Sequence, residues 1–149
     1  MGVNNFFTEE EQNDIKIAIK NAELDTSGEI RVHIEDKCPG EVKDRAAYLF
    51  KKLNMHKTEL RNGVLFYLAV KNRKFAILGD SGINTVVPEN YWDEIRDMML
   101  DRFRDGNFME GLIDGITLAG KQLKQHFPYQ TDDVNELSDE ISFGKNPNK

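Results

Sequence analysis

The sequence predicts an α/β/α sandwich, a small mixed central sheet flanked by helices, with its elements in the order α-β-α-β-β-α-α. Three observations lead there. Glu29 to Glu35 alternates strictly between polar and apolar residues, which is the period of a strand. Gly63 to Val70 is nearly all apolar, as a central strand covered on both faces requires. Helical spacing of apolar residues appears before, between and after these two segments. A chain of 149 residues fits one domain. Residues 1–127 carry the periodic patterns of that domain, and residues 128–149 read as a polar, flexible C-terminal tail.

The first helix is announced by Thr8 and Glu11, spaced as a capping box, followed by Ile15, Ala18, Ile19 and Ala22 on one face. Asp25-Thr26-Ser27-Gly28 ends it in a turn. In the first strand Ile30, Val32 and Ile34 point one way, and Glu29, Arg31, His33 and Glu35 the other, less buried way. Val42, Ala46, Leu49, Phe50 and Leu53 mark the second helix. The apolar second strand turns through Lys71-Asn72-Arg73-Lys74 into its hairpin partner, Phe75 to Leu78. Pro88 suits the first turn of a third helix with Tyr91 or Trp92, Ile95, Met98, Met99 and Phe103 inward. Asn107 with Glu110 reads as the cap of a fourth, in which Gly111 and Gly115 form a smooth strip for close approach to the sheet. In the tail, Val134, Leu137 and Ile141 have the spacing of a short docking turn.

Composition narrows the function. Charged residues make up 31% of the chain and the net charge is −6, which argues against nucleic acid as a partner, since phosphate binding needs clustered Lys and Arg. A single cysteine, Cys38, rules out an intrachain disulfide and a cysteine-built zinc cage. No basic, then apolar, secretory leader opens the sequence, and the run from Val64 to Val70 is too short to span a bilayer. A cytoplasmic protein without membrane insertion is the expectation. Gly2 is no myristoylation signal, because Phe6 stands where Ser or Thr is needed.

Chain direction supplies the candidate site. The first two strands and the helix between them form a right-handed crossover, so those strands run parallel. The hairpin returns the third strand antiparallel, and its end lies at the edge where the other two begin. Three polar, glycine-bearing segments meet there: Thr26-Ser27-Gly28-Glu29, Arg61-Asn62-Gly63 and Gly79-Asp80-Ser81-Gly82. Glu29 and Asp80 are the candidate metal ligands, with Asn62 and Asn84 as supporting oxygens; such donors suit Ca²⁺ or Mg²⁺ better than zinc. The same residue types also serve as ordinary turn formers. Glu35-Asp36 at the opposite edge is a rival, because parallel sheets bind ligands at the carboxyl ends of their strands. Asp93, Asp97 and Asp101 form a second acidic feature at four-residue spacing. Each like-charge pair of this kind costs roughly 0.2–0.5 kcal/mol, to be offset by a bound cation or a lysine from a neighbouring element, or eased on a solvated face by Arg96 and Arg104.

Other chemistries fail on spacing. Six positions after Cys38, where a tyrosine-phosphatase loop needs arginine, stands Asp44, with Arg45 one residue late. No Asp-x-Asp motif occurs, and Gly79-Asp80-Ser81-Gly82 is neither a phosphate loop nor a nucleophile elbow. His33, His56 and His126 are scattered over different elements. Metal-assisted attack by water is the hydrolytic route left open.

Several segments together resemble the TPM domain family, shared by thylakoid-lumen, photosystem-repair and receptor-modulating proteins. They are Thr8-Glu9-Glu10-Glu11, then Glu23 with Thr26-Ser27-Gly28-Glu29-Ile30, and Asn62-Gly63-Val64-Leu65. Gly79 with Gly82 follows, then Phe103-Arg104-Asp105-Gly106-Asn107-Phe108 leading to Gly111-Leu112. The resemblance spans about residues 8–127 and implies an α/β sandwich, calcium or a related metal near the loops, and a phosphatase activity of the kind known in a plant lumenal relative. The family's usual arrangement adds a signal peptide and a transmembrane tail, so the expectation for this sequence is a stand-alone form. Two functions follow: a divalent-metal-binding domain with weak phosphomonoesterase activity, or a non-enzymatic protein-interaction or chaperone-like module using the same loops.

Overall fold

The computed structural model describes residues 6–129 and 141–144. Helix α1, Glu9–Glu23, starts at the capping box: Glu11 N donates to Thr8 Oγ1 at 3.0 Å and Thr8 N to Glu11 Oε1 at 2.9 Å. Strand β1 is Glu29–Glu35, α2 is Val42–Lys52, and a 3₁₀ turn follows at Met55–Lys57. Strands β2, Gly63–Ala69, and β3, Lys74–Gly79, form the hairpin. Then come the one-turn helix α3, Ser81–Asn84, the long helices α4, Tyr91–Arg104, and α5, Phe108–His126, and strand β4, Ser142–Phe143.

The sheet order is β3-β2-β1-β4. β1 runs parallel to β2 and to β4, and β3 antiparallel to β2, as the crossover and the hairpin require. Ile30, Val32, Ile34, Val64, Phe66 and Ile77 face the main core with α1, α4 and α5. Leu65, Tyr67, Ala69 and Ala76 face α2 in a smaller core. Burying each large apolar side chain contributes about 1.5–3 kcal/mol, so residues such as Phe66 and Met99 hold the layers together.

The structure departs from the sequence pattern in five places. The polar face of β1 is also largely buried, with Arg31 alone intermediate, and His33 and Glu35 lie there in a closed hydrogen-bonded cluster. Pro88 stands before α4, which begins after Asn90 in a left-handed conformation, φ 65°. Asn107 holds the N-cap position of α5 but makes no side-chain cap bond, and Glu110 instead accepts from Arg102 at 2.5 Å. Gly111 and Gly115 open a path for α4 rather than for the sheet alone: added Cβ atoms would meet Arg102 Cβ at 2.9 Å and Met99 Sδ at 2.6 Å. Ser142–Phe143, read as tail in the sequence, pairs with β1. Ile141 is buried beside it, while Val134 and Leu137 lie outside the described residues.

Candidate functional site

The hairpin brings the candidate residues to one sheet edge. Glu29 pairs with Gly63 in the β1–β2 register, and its N–H donates to Asn62 O at 3.4 Å. On the other side of β2, Asp80 N donates to Gly63 O at 2.9 Å. Glu29, Gly63 and Asp80 therefore form one row across three strands. Side-chain alternation turns both carboxylates to the α2 face, with the bare backbone of Gly63 between them. Two strand spacings put the flanking Cα atoms about 10 Å apart. Asn62 Nδ2 donates to Ser27 Oγ at 3.3 Å, which ties the first loop to the second. Gly82 N donates to Arg61 O at 2.8 Å, which ties the second to the third. That approach needs glycine, because a Cβ at Gly82 would lie 2.1 Å from Leu60 O.

Asp80 is not bare. The Arg61 guanidinium holds both of its oxygens, Nε to Oδ2 at 2.7 Å and Nη2 to Oδ1 at 2.9 Å, and Ser81 N adds 2.7 Å to Oδ1. The Asp80 side chain is 6% exposed and that of Arg61 is 49%. Asn84 acts as a brace: its Oδ1 accepts from Trp92 Nε1 at 2.7 Å and its Nδ2 donates to Gly79 O at 2.8 Å. The donor set, carboxylate with amide and hydroxyl oxygens, has the hard character that Ca²⁺ or Mg²⁺ takes. The arrangement already contains a cation at Asp80, however, and it is Arg61. Among the described residues no three His, Cys, Asp or Glu side chains converge as a metal cage.

The rival edge is a different kind of object. Glu35 accepts from Arg45 Nε at 2.9 Å and Nη2 at 2.8 Å, and from the Tyr67 hydroxyl. His33 Nε2 lies 3.6 Å from Glu35, and its Nδ1 2.8 Å from Ser142 Oγ. Burial alone pushes the Glu35 carboxyl up, but the Arg45, His33 and Tyr67 bonds and the Arg45 charge outweigh it and hold the pKa at about 2. Burial, reinforced by the Glu35 bond, pushes the Tyr67 hydroxyl up. Ser142, His33 and Glu35 match a nucleophile triad in composition only. Gly144 seals them, since a Cβ there would lie 2.5 Å from Glu35 Oε1 and 3.2 Å from His33 Nε2. On α4 the acidic run is neutralised: Lys43 from α2 reaches Asp93 at 3.2 Å, Arg96 bonds Asp97 at 3.0 Å, and Arg104 bonds Asp101 at 3.0 Å.

Sequence reasoning found the three loops but gave Arg61 no role. Its signal was present, a bulky residue before Asn-Gly in a turn, and it takes the left-handed conformation, φ 53°.

Fold and edge together define a small mixed α/β domain whose polar loops, at the starts of β1 and β2 and the end of β3, are tied into one cluster. The chain belongs to the TPM domain family: the model of the TPM phosphatase family, described as the TPM domain, matches residues 3–122. Among solved structures it is similar to the BA42 protein of the psychrophilic bacterium Bizionia argentinensis, with 48% identity and a TM-score of 0.85 over 93% of this chain and 96% of that one. The N-terminal domain of a P. gingivalis protein shares the fold at 19% identity and a TM-score of 0.70, covering 83% of this chain and 82% of that one. An N-terminal domain from Corynebacterium glutamicum does so at 10% identity and 0.62, covering 96% and 83%. No curated protein matches the chain. Among the described residues no helix is long and apolar enough to cross a membrane.

Proposed function

We propose that this domain binds a divalent cation, Ca²⁺ or Mg²⁺, at the strand-start edge by exchange with Arg61. One observation carries the reading: a nearly buried carboxylate, Asp80, is neutralised by a single half-exposed arginine in the row that also holds Glu29. The half-exposed guanidinium is the movable partner of this pair, since it can pass into solvent while a cation takes over the charge of Asp80. When Arg61 swings out, Asp80 and Glu29 supply the charge, Asn62 supplies an amide oxygen, and Asn84 keeps the Asp80 loop in place. A bound cation would polarise a phosphoryl oxygen and activate water, which is the chemistry of a metal-assisted phosphomonoesterase.

Calcium chloride and, separately, magnesium chloride titrated into isotope-labelled protein test this. The amide signals of Ser27, Glu29, Asn62 and Asp80 move together and saturate, and Asp80→Asn abolishes the movement. Signals that stay still in a folded protein contradict the reading. A second reading, a protein-interaction surface on the same loops, is favoured by exposed Leu60 and Val86 beside the edge. Hydrolysis of a generic aryl phosphate separates the two: metal-dependent turnover lost in Asp80→Ala supports the enzyme, and no turnover with any metal supports the interaction module.

A further inference from the structure

β3 is an edge strand, and α2 and α4 pack against it from opposite faces, leaving its outer side at the floor of a groove. Two hollows lie along that groove. The larger, about 510 Å³, sits at the Gly79 end between Ala46, Leu78, Pro88, Tyr91 and Trp92. The smaller, about 350 Å³, sits at the other end, between Val42, Phe75, Arg96 and Leu100. Lys43 from α2 meets Asp93 from α4 between them, the one side-chain ion pair spanning the groove among the described residues.

Hydrogen-bond phase fixes what the strand offers. Asp80 N bonds Gly63 O, so antiparallel alternation turns the peptide groups of Leu78 and Ala76 to β2. Those of Gly79, Ile77 and Phe75 turn outward. Asn84 Nδ2 donating to Gly79 O agrees with that phase and already occupies that carbonyl, so a strand added here would pair at Ile77 and Phe75. Edge strands with outward peptide groups template the addition of another strand unless they are covered. The cover here is the exposed Lys43–Asp93 pair, which opens at little expense in free energy.

We propose that the β3 edge is a peptide-binding groove, in which an extended segment of another protein adds antiparallel to β3. Charge sets the direction. Arg73 and Lys74, both exposed, lie at the start of β3 with Glu41 beside them, and exposed Glu89 lies at its end; Arg96 is held by Asp97 at 3.0 Å and Asp93 by Lys43 at 3.2 Å. A strand antiparallel to β3 brings its C-terminal side to the basic end and its N-terminal side to the acidic end. The fitting segment has alternating apolar residues, one large enough for the hollow beside Trp92, and a carboxylate at its C-terminal side. This groove is separate from the loop edge and does not depend on cation binding there.

Short random peptides with free carboxyl termini, panned against the intact protein, provide the probe. Enriched peptides are expected to alternate apolar residues and to end acidic, to shift the amides of Ile77 and Lys43, and to bind about tenfold more weakly to Arg73→Glu/Lys74→Glu. Peptide N-methylation separates strand addition from greasy contact: methyl groups on alternate residues abolish binding in one phase and spare it in the other. Failure to enrich any peptide, shifts elsewhere on the protein, or indifference to the phase of methylation would each overturn the proposal. A dimer joined edge to edge through β3, with no peptide enriched, would overturn it in favour of a second copy of this chain.

Discussion

Two arginine–carboxylate forks stand at opposite ends of the same sheet, and they behave differently. Arg45 grips Glu35 where β1 ends, and Arg61 grips Asp80 where β2 begins, each through two nitrogens at 2.7–2.9 Å. Their surroundings diverge. The Arg45 side chain is 24% exposed and its carboxylate is also held by Tyr67 and His33 under Gly144. The Arg61 side chain is 49% exposed, and the rest of the support for Asp80 comes from the backbone of Ser81. One fork is enclosed by Tyr67, His33 and Gly144, and the other is held by a half-exposed guanidinium. Parallel sheets commonly bind ligands at the carboxyl ends of their strands, but here Glu35 at that end is packed under Gly144, whereas Asp80 at the other is covered by a half-exposed guanidinium.

The largest effect should come from breaking the lock. Glu35→Ala strands Arg45 and the Tyr67 hydroxyl and is expected to lower stability by about 3 kcal/mol in urea unfolding. A loss below about 1 kcal/mol would erase the contrast between the two ends. Gly82→Ala should follow at roughly 1–3 kcal/mol, because its methyl group meets carbonyl oxygens of Leu60 and Arg61 rather than a side chain that can turn away. Its crystal structure should show the 60–62 and 79–82 segments forced apart.

Acid should weaken the Glu35 lock over a defined window. The Glu35 pKa falls from the ordinary 4.5 to about 2 on folding, so the unfolded chain takes up this proton first as pH drops. Its stabilisation is complete above about pH 4.5 and is lost as pH falls through about 2. Urea midpoints measured across that window should decline less steeply in Glu35→Gln than in the parent chain. Arg61→Ala should lower stability less than Glu35→Ala, because the side chain removed is half-exposed and Ser81 N still bonds Asp80. The same change should tighten calcium binding, because the competing guanidinium is gone, and calorimetry of the two proteins side by side reads this directly.

The contrast also explains how much was legible in the sequence. The loop cluster could be read because it follows from chain direction: a crossover and a hairpin oblige Glu29, Asn62 and Asp80 to share an edge. Most of the fold could be read because Ile30-Val32-Ile34 and the α1 pattern have unambiguous periods. Burial of the polar side of β1 could not, since His33 and Glu35 are polar by type and become core only once Tyr67, Arg45 and Ser142 arrive from sequence-distant segments. The docking of Ser142–Phe143 was hidden because two residues are too few to show a period. Arg61 was visible but ambiguous: a charged residue in a turn is usually solvated, and only the backbone bonds from Asp80 to Gly63 and Gly82 to Arg61 bring its guanidinium to Asp80.

The Nε–H resonance of Arg61, followed by NMR while calcium chloride is added, tests exchange of counter-ions at Asp80 most directly. Release of the guanidinium predicts that this signal shifts toward that of a free arginine with the same midpoint as the Glu29 and Asn62 amides, while Arg45 stays fixed on Glu35. An Arg61 signal unchanged at saturating calcium, or amides that never respond, would contradict it.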